Sequence, residues 1–116
     1  MKNEFGVKLD RNGYAPSLLD TEPGRCYWCG RYMDAARHEI YGGTNRDKSK
    51  ALGLWVYLCP QCHQYGNHAV HRCAETNTKL KQIGQETAMA YYGWSNQEFL
   101  DRFGHNYVEW RTDDAT

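Results

Sequence analysis

The chain has 116 residues, 14 Lys and Arg against 14 Asp and Glu, and a mean hydropathy of −0.86, with nine Tyr and four Trp beside three Phe. That length suits one domain with a modest core, and the balanced charge excludes a uniformly basic nucleic-acid wrapper, so any such contact must rest on a local basic patch. There is no apolar run of membrane-spanning length, and MKNEFGVKLD lacks a signal-peptide core, which predicts a soluble, cytoplasmic protein with no membrane partner.

In chain order, residues 1–24 carry turn signals at Asn12-Gly13, Pro16 and Pro23-Gly24 and little apolar periodicity. They are expected to form an arm, either a short hairpin or disordered, with no chemistry of its own. CYWCGRY has the form of a zinc knuckle, Gly30 giving the backbone room to turn after Cys29. ARHEIY is a short strand candidate closed by Gly42-Gly43. GTNRDKSKALG is polar, cationic and turn-rich, and reads as a loop, while LWVYL is the best strand of the chain. Pro60 suits the first turn of a short helix that Gly66 and Asn67 interrupt. A longer helix is predicted from about Glu75 to Tyr92, with Leu80, Ile83, Thr87 and Tyr91 along one face and Gly93 closing it. Ser95 with Glu98 forms a capping box for a last helix carrying Phe99, Leu100 and Phe103, stopped by Gly104.

The cysteines need a job in a reducing compartment, where disulfides are disfavoured. Cys26, Cys29, Cys59 and Cys62 form two Cys-x-x-Cys pairs, and Cys73 stands apart as a plain thiol. Two such pairs read as a four-thiolate zinc site, and the βαβ setting of a thioredoxin-like redox pair is absent. Four thiolates close a tetrahedral structural site. His63 directly follows Cys62 and on a helix points about 100° away from it, so it is poorly placed for the same ion. His38, His63, His68 and His71 are left over, and a group of histidines marks metal or proton chemistry. A zincin helix is excluded, because the fifth residue counted from His38 is Gly42 and not histidine.

The order Cys-x-x-Cys, His-Glu-Ile, Cys-x-x-Cys-His, with RHEIYGG and GLWVYLCPQCH as its strongest words, resembles the four-cysteine branch of the HNH endonuclease family. More narrowly it is similar to small HNH-like proteins of phages and prophages, whose tail WSNQEFLDRFGHNYV also resembles. The resemblance implies an α+β fold: a small ββα-metal core with a treble-clef zinc and additional C-terminal helices. Residues 1–24 would be the arm, 25–73 the core and 74–116 a helical extension packed on it. It implies phosphodiester hydrolysis in DNA with a divalent ion, Mg2+ or Mn2+ (Zn2+ possible), in a bacterial host's cytoplasm. His38 and Glu39 fall on the ligand and general-base positions, and either can take either role. His63 falls on the ligand that begins the helix, and a further ligand comes from His71, with His68 as the alternative. The sequence departs from the family twice: Glu39 replaces the usual histidine base, and LGLWVYL holds no asparagine before the second knuckle. A catalytically inactive zinc adaptor that binds DNA or a host protein to oppose a defence system is therefore the other expectation.

Arg37, Arg46, Lys48 and Lys50 are the expected nucleic-acid contacts, with a solvated loop as the alternative reading. Trp55 and Tyr57 share one strand face and read as core.

Overall fold

The structure, a computed structural model, describes residues 1–110; residues 111–116 of the expected C-terminal extension lie outside them. The fold is α+β. A two-stranded antiparallel sheet pairs β1 (Ala36–Glu39) with β2 (Trp55–Leu58), in a register that sets His38 opposite Val56 and Glu39 opposite Trp55. Among the described residues three α-helices complete it: α1 (Arg46–Ala51), α2 (Ala74–Tyr92) and α3 (Asn96–Phe103). No helix among the described residues is long and apolar enough to cross a membrane.

The segment expected as a loop after Gly42-Gly43 is instead a 3-10 turn (Gly43–Asn45) running into α1. The reason is tertiary. Ser49 is fully buried, its hydroxyl accepting the Tyr41 N–H at 3.2 Å and donating to the Leu54 carbonyl at 2.5 Å. A polar residue satisfied in this way substitutes for the apolar stripe that normally advertises a helix. Pro60 opens a helical turn continued by Gln61–Tyr65, whose Gly66 N–H reaches back to the Gln61 carbonyl. That i→i+5 closure ends the turn early, and a Cβ at Gly66 would sit 2.6 Å from the Gln61 oxygen.

The core joins Ile40, Leu54, Val56 and Leu58 of the sheet region to Leu80, Ala88 and Met89 of α2 and Phe99 and Phe103 of α3. The buried face of α2 is Thr76, Leu80, Gly84, Gln85, Ala88 and Met89. The expected stripe is corrected accordingly: Ile83 and Thr87 are half-buried and Tyr91 is exposed. Gly84 belongs to the buried face because Tyr41 and Ile40 press against it, and Gln85 belongs there because it bonds the Asn106 side chain and the Tyr107 N–H. Ser95 accepts the Glu98 N–H at the start of α3, and Gly93 and Gly104 close α2 and α3 in left-handed conformations.

The N-terminal residues are packed, not loose. Leu18 N–H bonds the Gly53 carbonyl, the Trp55 indole donates to the Ala15 carbonyl, and Ala15 and Leu19 are buried. Gly53 permits this approach, since a Cβ there would lie 2.5 Å from the Pro16 oxygen.

Candidate functional site

Two knuckles bring four sulfurs together. In the first, the Gly30 N–H bonds the Cys26 carbonyl at 2.8 Å, the Cys29 N–H points at the Cys26 sulfur, and Gly30 takes a φ of 77°. The second begins where β2 ends, with the Cys59 carbonyl accepting the His63 N–H at 2.9 Å. The sulfurs of Cys26, Cys29, Cys59 and Cys62 all lie within 4.8 Å of one another, and Cys29 Sγ is 3.8 Å from Cys59 Sγ. A tetrahedral zinc with bonds of about 2.3 Å places its sulfurs a little under 4 Å apart, so this cluster could hold a zinc ion. Burial opposes ionisation of Cys29, but the Arg31 N–H and guanidinium and the neighbouring thiols bring it down to about 6. Burial and the other three thiols push Cys62 the opposite way, so the crowded sulfurs do not all ionise together without a cation to balance them, and binding zinc would release the remaining protons.

A second group forms on the other side of the same helical turn. Cys62 faces the sulfurs and His63 turns away from them, as their adjacency on a helical turn dictates. After Gly66 the chain doubles back, and the His71 N–H bonds the His63 carbonyl at 3.3 Å while Val70 bonds Cys62. This return, and not helical periodicity, places His71 beside His63, with their Nε2 atoms 3.0 Å apart. His38 of β1 completes the group, its ring 5.2 Å from both of the others, and one nitrogen from each imidazole lies within 4.8 Å of the rest. His38 is 7% exposed and its Nε2 is buried without a hydrogen-bond partner. Burial, then His63, His71 and Lys81, hold the His38 imidazole down to about 3. Burial and His71 also lower His63, with Glu39 opposing. Such rings stay neutral at pH 7 and keep lone pairs for an ion.

Glu39 lies outside this triad. One carboxylate oxygen accepts the Tyr14 hydroxyl, and the other accepts Arg46 Nε at 2.9 Å. Burial and the Glu39 carboxylate raise the Tyr14 phenol to about 12, so it stays a donor. These groups border a cleft of about 400 Å3 whose walls include His38, His63 and His71 and the cations Arg37, Arg46 and Lys81.

The expected residues divide. Arg37 and Arg46 reach the cleft, though Arg37 is paired with Asp10 at 2.8 Å and Arg46 with Glu39. Lys48 does not: its ammonium donates to the Arg102 carbonyl at the end of α3. Lys50 packs over the Tyr14 ring, 4.8 Å from its centroid. His68 is apart from the triad, bordering a depression with Trp28, Arg31 and Cys62. Asn45 donates to the Phe103 carbonyl and ties α3 to the core.

Tyr14, Asn77 and Lys81 line the cleft although nothing in the sequence reading pointed to them. The spacing of Asn77 and Lys81, one helical turn apart, was visible as a shared face of α2; their approach to His38 was not. Comparison with known protein families, with curated proteins and with solved structures finds no match to the chain.

Proposed function

We propose that the chain is a metal-dependent DNA endonuclease of the HNH type, phage-encoded, with a treble-clef zinc on Cys26, Cys29, Cys59 and Cys62 and a working divalent ion on His38, His63 and His71. The observation that carries this reading is the buried, unpartnered Nε2 of His38 in a three-imidazole group at the wall of a cation-lined cleft. A buried polar atom without a partner costs about 1–3 kcal/mol, and an ion bound to the group removes that cost. Neutral imidazoles suit zinc, whereas magnesium and manganese favour oxygen ligands, so zinc fits this donor set better than either. When bound, the ion supplies Lewis-acid charge to a phosphodiester oxygen.

The chain's own residues then divide the remaining work. His38 serves as ligand, which leaves Glu39 as the base. A carboxylate has about four lone-pair directions, and Tyr14 and Arg46 occupy two, leaving others to accept a proton from water. Lys81, with Arg46, places positive charge where a phosphate would enter.

A second reading is favoured by the same carboxylate. Both Glu39 oxygens already accept donors, from Tyr14 and Arg46, which leaves the carboxylate less room to take a proton from water and suits a DNA- or host-protein-binding adaptor that retains the metal sites without the reaction. Plasmid incubated with the folded protein under zinc, manganese and magnesium separates the two. The endonuclease cuts, stops with EDTA and with His38→Ala, and slows on the order of 10²–10⁴-fold in Glu39→Gln. No cutting of supercoiled, linear or single-stranded DNA by zinc-loaded protein transfers the reading to the adaptor.

A further inference from the structure

We infer that an apolar groove beside the histidine triad takes an unstacked nucleobase next to the bound phosphate, so that the substrate is single-stranded or locally opened DNA and not intact duplex. The inference rests on the nucleic-acid reading of the cleft. The groove holds about 430 Å3 and shares His63 with the cationic cleft. A phosphate beside Lys81 and Arg46 therefore has a neighbouring hollow for the nucleoside attached to it. Ala36, Leu58 and Pro60 make its wall, and Asp34 and Gln64 supply polar groups. That composition is wrong for a phosphate, because Asp34 would repel it, and right for a flat heterocycle with donors and acceptors on its edge.

Tyr65 is the residue that would stack on it. Tyr65 as a residue is 65% exposed and is absent from the hydrophobic core. What it does for the fold it does through its backbone carbonyl, which accepts Arg72 Nη1 at 2.9 Å. Charge points the same way. The chain's formal charge is zero, and of the three cleft cations Arg37 and Arg46 are already paired with Asp10 and Glu39. A backbone-only complex has few counterions to release, so binding must draw on a base contact. A base paired inside a duplex presents only its edges and has no face free for Tyr65.

The test uses the zinc-loaded protein in a Glu39→Gln background, to suppress cutting, and short oligonucleotides carrying one 2-aminopurine, whose fluorescence falls on stacking. The single strand should bind with quenching and with a log–log salt slope between about −0.7 and −2, corresponding to one to three phosphates. Tyr65→Ala should weaken that binding on the order of 5- to 150-fold and abolish the quenching, while Tyr65→Phe restores both. The same sequence as a blunt duplex should bind more weakly and respond little to Tyr65→Ala. Unchanged affinity and quenching in Tyr65→Ala, or duplex bound as tightly as single strand, overturns the inference. If that happens while Glu39-containing protein still cuts, the nuclease reading stands without it. If quenching behaves as expected and nothing is ever cut, the groove stands and the nuclease reading fails. No binding to any DNA overturns both.

Discussion

Gly84 offers the sharpest check on how α2 is seated, because two physical effects predict opposite signs for Gly84→Ala. Helix propensity alone favours alanine in mid-helix by about 1 kcal/mol. The packing says otherwise: an added Cβ would lie 2.8 Å from the Tyr41 hydroxyl and 3.1 and 3.2 Å from two Ile40 methyl groups. Neither neighbour can step aside, since both are 1% exposed and the Tyr41 hydroxyl is held at 2.6 Å on the Lys81 carbonyl. Overpacking of a filled core costs about 1–3 kcal/mol, and with neighbours this fixed about 2–3 applies, so after the propensity gain the net effect should be a loss of roughly 1–2 kcal/mol. For a domain of this size that lowers Tm by roughly 5–10 °C, read by circular dichroism on zinc-loaded protein. Tyr41→Phe removes the closest atom at a cost of about 1 kcal/mol for its hydrogen bond, so the double variant should lose less than the sum of the singles by at least about 0.5 kcal/mol. Gly84→Ala melting at or above the parent temperature would refute the seating of α2 on β1, and with it the route by which Asn77 and Lys81 reach the cleft.

Four further outcomes are expected. Cys59→Ser should lose the thiolate-bound ion and unfold the knuckles, because structural zinc contributes on the order of 10–16 kcal/mol in zinc-finger peptides, as much as a whole domain's net stability; retained fold and a retained tetrahedral thiolate spectrum after cobalt substitution would contradict this. His63→Ala should bind one ion fewer per chain while the four-thiolate spectrum stays, which elemental analysis with cobalt spectroscopy resolves. His38, held down to about 3 against roughly 6.5 when unfolded, leaves the unfolded state holding more protons between those values. Its stabilising contribution is complete above about pH 6.5 and is lost as the pH falls toward 3, so His38→Gln should show a flatter fall in urea midpoint between pH 7 and 4.5 than the parent; equal slopes would refute the burial of a neutral ring. Tyr14→Phe keeps the ring beneath Arg37 and Lys50 but removes the hydroxyl that orients the Glu39 carboxylate, and should slow any DNA cutting about tenfold through lost positioning, with a loss of about 1.5–3 kcal/mol of stability for the charge-assisted hydrogen bond.

What could be read from the sequence was local. LWVYL declares its strand by apolar and aromatic content, ARHEIY is a short candidate closed by Gly42-Gly43, Gly66 ends the turn after Cys62, and Ser95, Gly93 and Gly104 mark helix ends through backbone chemistry that needs no partner. The cysteine cluster was legible because ligand spacing survives without knowing the path between the knuckles. Elements that depend on distant partners were not. The helix α1 rests on the buried Ser49, and the buried face of α2 contains Gly84 and Gln85, which no hydrophobicity pattern scores as core. Tyr14 lies 25 residues from Glu39, and only packing of Ala15, Leu18 and Leu19 against the β2 region brings its hydroxyl there.

The two clusters owe their separation to a single step along the chain. Cys62 and His63 are neighbours on one helical turn, so their side chains diverge, one toward the sulfurs and one toward His38 and His71. The same peptide unit therefore belongs to both groups, and whatever fixes the sulfurs also fixes the position of His63. On this geometry a zinc held by the four sulfurs would also position the histidine triad. Loss of the knuckles would disperse the triad even though none of its histidines belongs to the four-sulfur group. The reverse does not follow: His71 arrives on a returning turn held by its backbone bond to the His63 carbonyl, and its imidazole is no part of either knuckle. Damage should thus propagate from thiolates to imidazoles and not back, an asymmetry that the Cys59→Ser and His63→Ala variants measure directly.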